Sequence, residues 1–82
     1  MTAPHLTVTY GLDAAADLIA RDADRALEGT GARVWYIPED DSVWINNRNA
    51  PVNEAVRFRP GQTLVVSRNE GWYIEPAPVV TA

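Results

Sequence analysis

RVWYIPEDDSVWIN, residues 33–46, is the stretch on which the fold turns. Two short runs rich in β-branched and aromatic residues flank Pro38, Glu39, Asp40 and Asp41, which are turn chemistry. That pattern predicts an antiparallel hairpin with a four-residue loop. With that loop, Ile37 faces Ser42 and Trp35 lies directly across from Trp44. Successive side chains on a strand point to opposite faces. Arg33, Trp35 and Ile37 therefore share one side with Ser42, Trp44 and Asn46. Val34, Tyr36, Val43 and Ile45 take the other.

What must cover that second side lies earlier in the chain. Residues 6–10, LTVTY, alternate with period two and read as a half-buried strand, ended by Gly11. From Leu12 the period becomes helical. Leu12, Ala15, Ala16, Ile19, Ala20, Ala23 and Leu27 form one narrow apolar stripe, with Asp13, Asp17, Arg21, Asp24, Arg25 and Glu28 largely off it. The spacing predicts a helix over 12–28, stopped by Gly29-Thr30-Gly31. Its small residues allow close approach to a sheet but bring little volume, so strand side chains must fill the core.

After the hairpin, residues 47–61 show no sustained period and read as a loop, with a short strand possible over 55–58. Pro60-Gly61 is a turn signal. QTLVVSR and WYIE, separated by Asn69-Glu70-Gly71, read as a second hairpin, and residues 76–82 as an extended or mobile tail. The expected fold is α+β and two-layered, a single domain with the order β-α-β-β-β-β. In it one helix packs on a mostly antiparallel sheet of four to five strands.

Such a sheet is apolar on both sides, and one helix covers only one of them. Trp72 and Ile74 share a face in the last strand, with Tyr73 opposite. Trp35, Ile37, Trp44, Trp72 and Ile74 are thus candidates for a protein-binding surface, since tryptophan is enriched at binding hot spots. Two other outcomes stay open. Either the tail 76–80 or the loop 46–57 folds over this side, or a register shift buries the indoles under the helix.

Composition narrows the functional classes. The chain has 82 residues, three tryptophans, no cysteine and one histidine. A thiolate metal site and a disulfide framework are excluded, and no apolar run approaches the length of a membrane span. The expectation is a cytoplasmic protein. His5 has no partners for a triad or a histidine-based metal site. Glu39-Asp40-Asp41 lacks the alternating oxygen ligands and closing glutamate of a calcium loop. No catalytic residue, cofactor or small-molecule substrate is indicated, and an enzyme is not expected. The net charge of −4 opposes binding to nucleic acid. The helix carboxylates, interrupted by Arg21 and Arg25, make a poor duplex mimic. Arg48, Arg57, Arg59 and Arg68 give the second half a more basic character, and with tryptophan nearby they raise single-strand binding by stacking as a lesser alternative.

Two resemblances bear on origin. RPGQTL, residues 59–64, is similar to the opening of a LysM peptidoglycan-binding repeat, but that family continues into a helix where this chain has VVSRNEGWYIE. As a whole the chain is short, acidic, lysine-free, cysteine-free and rich in alanine and arginine, and residues 56–75 form a PG-strand-turn-G-strand pattern. In this it resembles the small accessory proteins of phages that infect GC-rich actinobacteria. The resemblance implies a non-enzymatic protein acting in the host cytoplasm by binding. The partner is then a protein, such as a host protein docked through the aromatic face, or further copies of itself in a head, tail or decoration assembly.

Overall fold

The computed structural model describes residues 5–67 and 71–77. Strand β1 (His5–Thr9) is followed by helix α1 (Ala16–Ala26). Strands β2 (Ala32–Ile37), β3 (Ser42–Asn47) and β4 (Val56–Phe58) come next, with a 3-10 turn at Val52–Glu54 between the last two. Strands β5 (Thr63–Ser67) and β6 (Gly71–Glu75) complete the order. The class is α+β. The single sheet of four to five strands expected from the sequence is replaced by two three-stranded antiparallel sheets, ordered β1-β5-β6 and β2-β3-β4.

The division has a physical cause. β1 pairs not with the strands next to it in sequence but with β5, Leu6 opposite Val66 and Val8 opposite Leu64. This pairing draws the C-terminal hairpin away from the central one and gives the helix two apolar sheet faces instead of one. Leu64 and Val66 from the first sheet meet Val43, Ile45 and Phe58 from the second, and Ala16, Ile19, Ala20, Ala23 and Leu27 of α1 pack into the same cluster. Three alanines on the buried face keep the helix thin enough for both sheets to reach it. At the junction Tyr10 packs against Phe58 with the rings tilted by 39° and their centroids 5.4 Å apart. The Tyr10 carbonyl accepts from the Gly61 N–H, and the Tyr10 N–H donates to the Gln62 carbonyl at 2.9 Å.

The helix is shorter than its periodicity suggests. Leu12 is 84% exposed, and residues 12–14 form a turn in which Ala14 N–H reaches the Gly11 carbonyl at 3.2 Å. Ala15 is extended and supplies no side-chain cap. Alanine suits a helix at any phase, so the stripe carries no mark of where winding begins, and no Ser, Thr, Asp or Asn stands at the cap to set it. The far end falls at Ala26, two residues before the expected Glu28, and the glycine stop signal operates there. Gly29 has φ of 82°, a left-handed conformation that closes helices and favours glycine. Thr30 Oγ1 donates to the Leu27 carbonyl at 2.7 Å and accepts from Ala32 N–H at 3.2 Å, handing the chain to β2.

The central hairpin has the expected register: Val34 opposite Ile45, Trp35 opposite Trp44, Ile37 opposite Ser42. Asp41 closes its loop at φ 55°, a region in which Asp is tolerated better than most residues. The possible strand over 55–58 forms as β4. Residues 59–64 lead into strand β5, not a helix, so the likeness to a LysM opening ends where the sequence departs from it. Ala77 lies against Gly61. The described start of the tail therefore runs toward the Pro60-Gly61 turn, and its expected continuation over 78–82 lies outside the described residues, as does the expected turn at Asn69-Glu70. No helix among the described residues is long and apolar enough to cross a membrane.

Candidate functional site

The outer face of the β2-β3-β4 sheet is built by strand alternation alone. Val43, Ile45 and Phe58 point inward and are fully buried, which forces their neighbours outward. One row across the sheet reads Trp35, Trp44, Arg57. On one side of it stand Arg33 and Asn46, and on the other Ile37 and Ser42. Trp35, Ile37, Trp44 and Arg57 are half-buried, and Arg33 is exposed.

Two polar residues of this face are buried, and their hydrogen bonds explain how. Ser42 is 2% exposed. Its hydroxyl donates to Asp40 Oδ1 at 2.6 Å and accepts from Trp44 Nε1 at 2.8 Å. This relay occupies the indole N–H and holds the Trp44 side chain along its own strand toward the acidic loop. Asn46 Nδ2 donates to the Pro51 carbonyl at 2.9 Å, and Asn46 Oδ1 accepts from Asn47 N–H. The 48–55 segment is thereby tied to the Asn46 corner of this side, while Trp35 and Trp44 stay half-buried. No buried side-chain nitrogen or oxygen among the described residues lacks a partner.

The structure brings Trp35, Ile37 and Trp44 together and separates Trp72 and Ile74 from them. The last two stand on β6 opposite Val66 and Leu64, and they pack against the core. They share one face, as expected, but it is the inner one, because the second sheet turns its Leu64 and Val66 side toward the helix. Trp72 Nε1 donates to Asn47 Oδ1 at 2.8 Å, tying β6 to the end of β3. Tyr73, 47% exposed, takes the outer position instead. Sequence reasoning missed Arg57 as a member of the Trp35–Trp44 row. Its place depends on the β3-β4 register, and the irregular residues 48–55 between those strands give no turn signal that would set it.

Beside β2 a shallow groove of about 330 Å³ runs along the helix, bordered by Asp17, Arg21, Asp24, Trp35 and Tyr36. Tyr36 Oη donates to Asp41 Oδ1 at 2.6 Å. That hydrogen bond to the carboxylate, before burial and charge, pushes the phenol up to about 12. Burial, followed by the negative charge of Asp41, also raises the Tyr10 phenol, against an opposing effect of Arg57. A larger cavity of about 650 Å³ opens between Leu6, Val66, Ala26 and Thr30 at the end of the helix. Among the described residues no group of three or more His, Cys, Asp or Glu side chains is placed to hold a metal.

No family model matches this chain, and neither a curated protein nor a solved structure does.

Proposed function

We propose that the protein is a small non-enzymatic binding module whose outer β2-β3-β4 face docks a protein partner. The observation that carries this reading is the Trp35–Trp44 pair, opposed across the hairpin on the side away from the helix and only half-buried. A sheet face of this kind, with two indoles beside Ile37 and arginines at its borders, has the composition of an interface core and rim. Trp72 and Ile74, assigned to the core by their packing, are not part of it. The alanine- and arginine-rich, lysine-free composition supports a phage accessory protein acting in the host cytoplasm, with a host protein as the docked partner.

Affinity capture from a bacterial lysate, comparing the wild type with Trp35→Ala/Trp44→Ala and with Tyr73→Ala on the opposite sheet, tests the reading. The double variant is expected to lose a protein that the Tyr73 variant retains. Equal capture by all three counts against this face. The second reading, a virion subunit using the same surface on copies of itself, is separated by sedimentation over a range of concentration. Oligomers of fixed stoichiometry that dissociate in the double variant support it.

A further inference from the structure

The charges carried by the β2-β3-β4 strands themselves are of one sign. Strands β2, β3 and β4, residues ARVWYI, SVWINN and VRF, contain two arginines and no carboxylate. Both arginines, Arg33 and Arg57, fall on the outer face by the same alternation that places Trp35 and Trp44 there. Of the eleven acidic residues of a chain with net charge −4, six lie on the helix (Asp17, Asp22, Asp24) and in the loop (Glu39, Asp40, Asp41). Of the loop carboxylates, Asp40 accepts from Ser42 and Asp41 from Tyr36 and both keep their charge, but they stand at the Ile37–Ser42 end of the sheet, whereas Arg33 stands at the other. The Trp44 indole N–H is spent on Ser42, so the ring offers a ligand its aromatic surface and no donor. Away from the Asp40 end, the face presents two guanidinium groups on a diagonal that crosses β3 between Asn46 and Trp44, with Trp35 beside it.

From this geometry, and resting on the docking role above, we infer that the face takes an extended acidic-apolar segment of the partner protein. Its carboxylates pair with Arg33 and Arg57, and an apolar residue between them lies against the Trp44 indole. The spacing supports the match. Arg33 and Arg57 are separated by two inter-strand steps and one two-residue step along the strand, a diagonal of roughly 12 Å. Carboxylates four residues apart on an extended segment are about 13 Å apart, and they point the same way as the residue midway between them. Guanidinium groups also suit carboxylates by their paired donor geometry. A polyphosphate strand fits less well, since its affinity grows with the number of phosphates neutralised and this face offers two guanidinium groups.

Fluorescence anisotropy on the full chain tests the assignment with three labelled probes. These are a Gly/Ser-flanked peptide containing Glu-Ser-Leu-Ser-Glu, the same peptide with Lys for Glu, and an oligodeoxythymidine. The acidic peptide is expected to bind at least tenfold more tightly than the other two, and added salt weakens it. Arg33→Glu and Arg57→Glu are each expected to lower its affinity about tenfold, the worth of one charge-assisted contact. Each also shifts preference toward the lysine peptide. Arg33→Gln, at an exposed position, gives the same direction of change should a reversed charge disturb the strand. Absence of binding, equal binding of the two peptides, tighter binding of the oligonucleotide, or indifference to all three substitutions overturns the inference. The two levels separate in the capture assay. Loss in Trp35→Ala/Trp44→Ala with retention in both arginine reversals refutes the acidic segment and leaves the docking face standing. Retention in the tryptophan variant refutes the face itself.

Discussion

Replacing Phe58 by alanine tests whether the two sheets share one core. Phe58 belongs to β4, in the second sheet, yet its fully buried ring meets Tyr10, the residue that follows β1 of the first. Truncation removes that bridge and leaves a cavity bounded by both sheets. Burial this complete places the cost in the range of about 3–5 kcal/mol. A chain of this size has a total stability of only about 4–12 kcal/mol. Phe58→Ala is therefore expected to lower the melting temperature by on the order of 12 °C or more, or to unfold the protein outright. Phe58→Leu restores most of the volume and should recover more than half of the loss. The remainder contains the aromatic pair, worth about 0.5–1.5 kcal/mol and measurable as the coupling between Phe58→Leu and Tyr10→Leu in a double-mutant cycle. Urea denaturation followed by circular dichroism reads each variant. A cost below about 1 kcal/mol for Phe58→Ala, or the absence of coupling to Tyr10, would refute the claim that this ring joins the sheets.

Ser42→Ala strands the Trp44 indole N–H at a half-buried site, while the exposed Asp40 carboxylate turns to water. It is expected to cost about 1–3 kcal/mol in urea denaturation, whereas loss of an exposed hydroxyl would be near neutral. Spectrophotometric titration of the tyrosines is expected to show one phenol, Tyr36, ionising near pH 12 against the ordinary 10.0, and Asp41→Asn should bring it down. The sign follows from the raised value. The fold favours the protonated phenol, so its contribution to stability is complete below pH 10.0 and is lost as pH rises through about 12. At Gly29 and Gly61, with φ of 82° and 88°, alanine is expected to cost about 1–2 kcal/mol for the left-handed conformation alone. Gly61→Ala should be the worse of the two. Its Cβ would lie 3.2 Å from that of Ala77, whereas Gly29 has open space; equal thermal shifts would contradict that packing.

What could be read from the chain was whatever short-range chemistry decides. The loop Pro38–Asp41 set the register of the central hairpin, and alternation then put Trp35, Ile37 and Trp44 on one side with Val43 and Ile45 on the other. Apolar spacing located the body of the helix, and the Gly29-Thr30-Gly31 stop located its end. Each of these depends on residues a few positions apart. The tertiary structure alone decided the rest. It paired β1 with β5 across most of the chain, split the strands into two sheets, and set β4 against β3 so that Arg57 joined the Trp35–Trp44 row. It also turned Trp72 and Ile74 inward. Alternation divides a strand into two faces but carries no label for the buried one. That choice waits on which distant surface closes over it, and here the second sheet supplied the surface.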